Sequence, residues 1–112
     1  MERLFSELTV DLPNQTTSHR YPIYIGEGLF KPKQTSVLPK LDYRQILVVS
    51  NPTVWQLYGD AFMQMLKQHT VQEQIQLHFH LIADGEVYKT WETLNGIFDT
   101  LLTHHFDRQC AL

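Results

Sequence analysis

Ile46, Leu47, Val48 and Val49 form an unbroken apolar run, and three of the four are β-branched. A strand of this kind has no polar face to turn to water, so both faces need cover. A parallel sheet with helices on its two sides supplies that cover. Two residues further on, Asn51-Pro52 is a strong helix start. The asparagine side chain can take up orphan amides, and proline at the first helical position has no amide to leave unpaired. A buried strand feeding directly into a helix is the first half of a β-α-β unit, with a right-handed crossover expected.

The remaining segments extend this pattern. Val54, Trp55, Leu57 and Tyr58 continue the helix, and Gly59-Asp60 is expected to break or restart it. A second stripe of Ala61, Phe62, Met65 and Leu66 follows. Residues 75–82 alternate, with Ile75, Leu77, Phe79 and Leu81 on one face and Gln76, His78 and His80 on the other, which predicts a strand. Thr90 is the expected cap of a further helix carrying Trp91, Leu94, Ile97, Phe98, Leu101 and Leu102. The run "HHFDRQ" connects it to Cys110-Ala111-Leu112, read as the start of another strand, where the chain looks cut. Upstream, residues 7–12 and 20–26 alternate and predict an antiparallel pair with a loose polar tip at 13–19. Pro22 implies that the second of these lies at an edge or begins irregularly. Residues 26–40 are turn-rich and are expected to be irregular or a short helix. The expectation is one α/β domain.

Bulk properties narrow the function classes. The chain has 112 residues, with 9 basic against 12 acidic side chains and a net charge of −3. That balance favours neither nucleic acid nor an anionic membrane surface. The single cysteine, Cys110, cannot form an internal disulfide, which fits reducing, cytoplasmic conditions. No apolar run approaches the roughly 18 residues of a membrane span.

In a parallel sheet, ligands gather beyond the carboxyl ends of the strands, where helix N-termini point outward. Two loops hold that position, "SNPT" at 50–53 and "ADGEVYKT" at 83–90. In the second, Gly85 permits a tight turn. Asp84 or Glu86 can accept hydrogen bonds from a ribose diol, and Lys89 can face a phosphate. The same residues also make an ordinary acidic turn into a capped helix, and pattern alone leaves both readings open. No phosphate-cradling glycine loop is present, since Gly26-Glu27-Gly28 is followed by Lys31 where a third glycine would stand. His78 and His80 share a strand face but have no cysteine or carboxylate at a ligand spacing. They are assigned to a solvated face and not to a metal. His104 and His105 suit the last turn of a helix. Cys110 reads as core, and Trp55 and Trp91 as packing residues. No arrangement for a nucleophile is found.

Taken together, "RYPIYIGEGLF", "ILVVSNPTVWQLYGD", "DGEVYKT" with the helix "WETLNGIFDTLL", and "FDRQCAL" resemble the N-terminal domain of the 3-dehydroquinate synthase family. The D-G-E-x-Y-K loop followed by a hydroxyl residue is the most specific piece. The resemblance implies a partial Rossmann-like NAD-binding domain over 1–112. It would comprise an N-terminal β-strand pair, then β-α-β-α with a mainly parallel sheet, truncated at the start of the next strand. In the family a G-G-G-V turn follows that strand, and a second domain supplies the metal ligands and most substrate-binding lysines and arginines. The implied activity uses bound NAD and a divalent metal, zinc or cobalt. It converts a small-molecule substrate, the seven-carbon keto-acid phosphate 3-deoxy-arabino-heptulosonate 7-phosphate, into 3-dehydroquinate and phosphate in the shikimate pathway. A homodimer is implied as well. On the family's pattern Asp84, Gly85, Glu86, Val87, Tyr88 and Lys89 contact the cofactor. Glu86 is the candidate for the adenosine ribose and Lys89 for a further polar contact. Asn51 lies beside the adenosine half. Some members carry an acidic residue just before it, where Val49 and Ser50 stand here. No catalytic residue or metal ligand falls within the chain, which is expected to be inactive alone. Other sugar-phosphate cyclases, of the 2-deoxy-scyllo-inosose or valiolone type, share the loop. A stand-alone, non-enzymatic α/β module is the alternative from a different class.

Overall fold

The computed structural model describes residues 5–12, 19–30, 40–71 and 74–112. Strands β1 (Phe5–Leu12) and β2 (His19–Gly26) form an antiparallel pair, as their alternation predicts. Leu8 lies opposite Ile23 and Val10 opposite Tyr21, so the apolar residues share one face. On the other face Arg20 meets Asp11 at 3.2 Å, an exposed pair. The expected loop tip at 13–18 and most of the turn-rich stretch, 31–39, lie outside the described residues.

The second sheet contains the site. Strand β3 (Gln45–Ser50) runs parallel to β4 (Gln76–Leu81) on one side and to β5 (Cys110–Ala111) on the other, in the order β4-β3-β5. Helix α1 (Pro52–Gln68) connects β3 to β4, and α2 (Trp91–Thr103) connects β4 to β5. The mixed architecture is the partial Rossmann-like α/β arrangement expected from the sequence. Strand neighbours share a face, so Ile46, Val48, Leu77 and Phe79 look to one side and Leu47, Val49, His78 and His80 to the other. On the first side Ile46, Met65 and Leu66 form the buried cluster, with Phe62, Val48 and Leu77 packed around it. Trp55 stacks on Phe79 with ring centroids 4.5 Å apart, so this tryptophan does pack.

Burial of the apolar run is graded. Leu47 has no exposed surface, but Val49 is 37% exposed. Strand β5 pairs only with Gln45 and Ile46, so beyond that point β3 has a strand neighbour on one edge alone among the described residues. The two-sided cover expected for 46–49 is therefore complete only in its first half.

Three sequence expectations are corrected. Helix α1 is not broken at Gly59-Asp60 but runs unbroken for 17 residues. Gly59 is buried, and a Cβ there would stand 2.7 Å from Trp55 Cδ2. The glycine is a flat seat for the indole, and its cost to the helix of about 1 kcal/mol is offset by the Trp55–Phe79 stack. The face carrying His78 and His80 is not simply solvated. Both side chains are half-buried, and His80 Nδ1 lies 2.7 Å from Thr100 Oγ1 of α2. Finally, Trp91 does not pack inward but is 79% exposed. Leu94, Ile97 and Leu101 form the half-buried side of α2. Trp91, Phe98 and Leu102 lie roughly a quarter turn away at 3.6 residues per turn, and all three are exposed.

Candidate cofactor-binding site

Both parallel strands of the β-α-β unit end at the same level, and each is followed by a helix whose N-terminus faces that end. After β3, Asn51 caps α1 by accepting a hydrogen bond from Val54 N at 2.8 Å through Oδ1. Pro52 follows in the first turn, as the sequence predicts. After β4, Ile82 N donates to Ser50 O at 2.8 Å, so the strand end stays fastened to β3. The chain then turns at Gly85, whose φ of 119° and ψ of 151° belong to a region that only glycine occupies without strain. A single 3-10 turn follows at Glu86–Tyr88. Tyr88 N donates to Gly85 O and Lys89 N to Glu86 O, each at 3.1 Å. Thr90 then caps α2, accepting from Thr93 N at 3.2 Å. The whole loop is thus hydrogen-bonded from Gly85 to the helix.

A hollow of about 190 Å³ opens between the two strand ends. Ser50 and Asn51 line it from β3, Asp84, Gly85 and Lys89 from the loop, and Val49 and Ile82 give it an apolar floor. Ligand pockets usually measure about 300–1,000 Å³, so this hollow takes one end of a larger molecule. Of the residues singled out in the sequence, Asn51, Asp84, Gly85 and Lys89 converge here. Glu86 is not on the wall but adjoins it, with its carboxylate 2.6 Å from Lys89 Nζ. That spacing follows from the turn, since residues three apart eclipse one another in a 3-10 helix. Val87 and Tyr88 do not line the hollow, and Val87 is 77% exposed. Sequence reasoning did not assign Ile82 to the site. Its position as the first residue past β4 is the signal that could have found it.

The chemistry on offer is binding chemistry. Asp84 and Glu86 can accept from hydroxyl groups, and Lys89 is a cation paired with Glu86. Asn51 has its oxygen committed to the cap and can offer its amide Nδ2. Two helix N-termini add partial positive charge. Among the described residues no group of three or more His, Cys, Asp or Glu side chains is placed to hold a metal ion.

The histidines at the opposite end of the sheet have a separate role. The His78 ring stacks on His104 at 3.8 Å, with Phe106 edge-on at 5.6 Å. Burial, and then the charge on His104, hold the His78 pKa below its ordinary value. A histidine whose pKa is lowered by folding takes up its proton more readily when unfolded. Its contribution is therefore complete above the unfolded pKa of about 6.5 and is lost as pH falls toward the lowered folded value. Urea midpoints should fall between about pH 7.5 and pH 5.5, and His78→Phe should flatten that slope. An unchanged slope in His78→Phe would assign the effect to other groups.

The class these features define is a partial Rossmann-like α/β unit with a polar hollow at the carboxyl ends of its parallel strands. Comparison with known proteins gives the particular family. The chain is 42% identical over 105 residues to the 3-dehydroquinate synthase of Pseudomonas putida (strain W619), covering 94% of this chain and 26% of that protein. It is 39% identical over 106 residues to the 3-dehydroquinate synthase of Nitrosospira multiformis, covering 94% and 27%. The 3-dehydroquinate synthase of Syntrophotalea carbinolica is 41% identical over 93 residues, covering 82% and 24%. Over the stretch it covers, the chain belongs to the 3-dehydroquinate synthase family. It spans about a quarter of the length of these curated relatives. No family model matches it.

Proposed function

We propose that residues 1–112 are the N-terminal part of the NAD-binding domain of a 3-dehydroquinate synthase, and that the hollow receives the adenosine half of NAD. The observation that carries this is the convergence of Asn51, Asp84, Gly85 and Lys89, with Glu86 alongside, at two helix N-termini. A ribose diol needs paired acceptors and a phosphate needs a cation with free N–H donors, and the loop offers both. When bound, NAD supplies the hydride acceptor for oxidation of a substrate hydroxyl and its later return. The residues here would bind and orient that cofactor, without touching the reacting carbons. The zinc or cobalt of the reaction does not fit among them, since the described residues offer no cluster for it. No step of the chemistry is therefore assigned to this segment. The substrate is the seven-carbon keto-acid phosphate, and the whole protein would work as a cytoplasmic homodimer. No helix among the described residues is long and apolar enough to cross a membrane. The three relatives named above favour 3-dehydroquinate synthase over the other sugar-phosphate cyclases.

The test is a graft in which this chain replaces the matching segment of the Pseudomonas putida relative. With NAD, zinc and substrate, the graft should release phosphate, and the chain alone should release none above a no-protein control. A folded graft that binds no NAD would sink the reading.

A further inference from the structure

We propose that His80 is a positioning residue. Through Thr100 it fixes where α2 sits along β4, and so fixes the span and shape of the 84–90 loop between them. For its functional consequence this rests on the reading of that loop as the cofactor loop.

The helix needs such a fastening. No side chain of α2 is fully buried, and Leu94, Ile97 and Leu101 are only half covered. Apolar contact is non-directional, so these residues alone would tolerate a slide along the sheet. The His80–Thr100 contact is a hydrogen bond and is directional. Thr100 Oγ1 has one proton and can donate it to Gly96 O at 3.2 Å. With that proton directed to Gly96 O, Oγ1 accepts from His80 Nδ1–H, 2.7 Å away; in the other tautomer the hydroxyl donates to Nδ1 instead, and either arrangement makes the same tie. The ring also lies against α2 at Gly96, where an added Cβ would stand in ordinary contact, 3.7 Å from His80 Cε1 and Nε2. The strand end is separately held to β3 by Ile82 N and Ser50 O. The loop is thus strung between two fixed points. The other polar tie of α2 to the sheet, from Gln45 Nε2 to His104 O and His105 O at 3.3 Å each, is longer and lies at the far end of the helix.

The experiment is amide hydrogen exchange on the 112-residue chain, reading the Tyr88, Lys89 and Thr90 amides that the turn protects. His80→Phe keeps a ring and loses Nδ1, and Thr100→Val keeps the shape and loses the hydroxyl. Each should speed exchange at those three amides by about five- to ten-fold, the worth of one net hydrogen bond. The Leu47 and Val48 amides of β3 should stay unchanged. His80→Asn, whose amide can stand in for Nδ1, should restore most of the protection. Unchanged loop amides, or equal acceleration at loop and β3, would overturn the proposal. If His80→Phe fails to fold, Thr100→Val decides alone. In the graft, the same variants should weaken NAD binding. If Glu86→Ala weakens it and His80→Phe does not, the positioning role fails and the NAD reading stands. If no graft binds NAD, that reading fails, and the exchange result still decides for His80.

Discussion

In the grafted full-length protein, Glu86→Ala and Lys89→Ala should each weaken NAD binding by about ten-fold or more. A hydrogen bond to a charged group contributes roughly 1.5–3 kcal/mol, and 1.4 kcal/mol is a factor of ten. On the proposed reading Glu86, beside the hollow, would accept from a diol, and Lys89, which lines it, would meet a phosphate oxygen. Before ligand arrives the two side chains pair with each other at 2.6 Å. Both are largely exposed, and such a surface pair is worth at most about 1 kcal/mol. Breaking it on binding therefore costs little. The pairing also predicts non-additivity, because removing either partner frees the other to reorient. The double variant should lose less than the sum of the two single losses. If Lys89 meets a phosphate, raising the salt concentration should weaken binding more in the parent than in Lys89→Ala. Calorimetric titration of NAD reads all of this. Unchanged affinity in both single variants would leave the loop as a polar turn whose task is to start α2.

What the sequence disclosed, and what it hid, divides along a physical line. Signals carried by backbone chemistry were legible. An unbroken apolar run needs two-sided cover, Asn-Pro and a threonine before an apolar period start helices, and a glycine after a strand marks a turn. These placed β3, both helix caps and the loop at 84–90 correctly. Signals that depend on which neighbour fills a space were not legible. Gly59 reads as a helix breaker until Trp55 is seen lying against it. His80 reads as solvated because periodicity marks its face polar. Thr100, 20 residues away, gives that polarity a partner. Trp91 reads as core by composition, but the helix angle turns it a quarter turn off the packed side. Within the site, the loop type was legible and the division of labour was not. Pattern alone could not place Lys89 and Asp84 on the wall of the hollow and leave Val87 and Tyr88 off it.

Leu47→Ala should abolish cooperative folding of the isolated chain or bring it close to doing so. Among the described residues Leu47 is the one fully buried large side chain, with no exposed surface. Truncating a buried leucine costs about 2–5 kcal/mol, through lost transfer energy and the cavity left behind. Small domains have only about 5–15 kcal/mol in total. Here the buried apolar side chains among the described residues are Ile46, Leu47, Met65 and Leu66. A core of that size has little reserve, so one such loss removes a large share of it. Val49 provides the internal comparison. It lies two residues along the same strand and on the same face, but β5 does not reach it and it is 37% exposed. Val49→Ala removes partly solvated methyl groups and should cost under about 1 kcal/mol. Urea unfolding followed by far-ultraviolet circular dichroism separates the two. Leu47→Ala should show no folded baseline or a midpoint near zero urea, and Val49→Ala a midpoint close to the parent. Equal losses would mean that β3 is covered along its whole length, and that the apolar floor under the hollow is as firmly packed as the strand's first half.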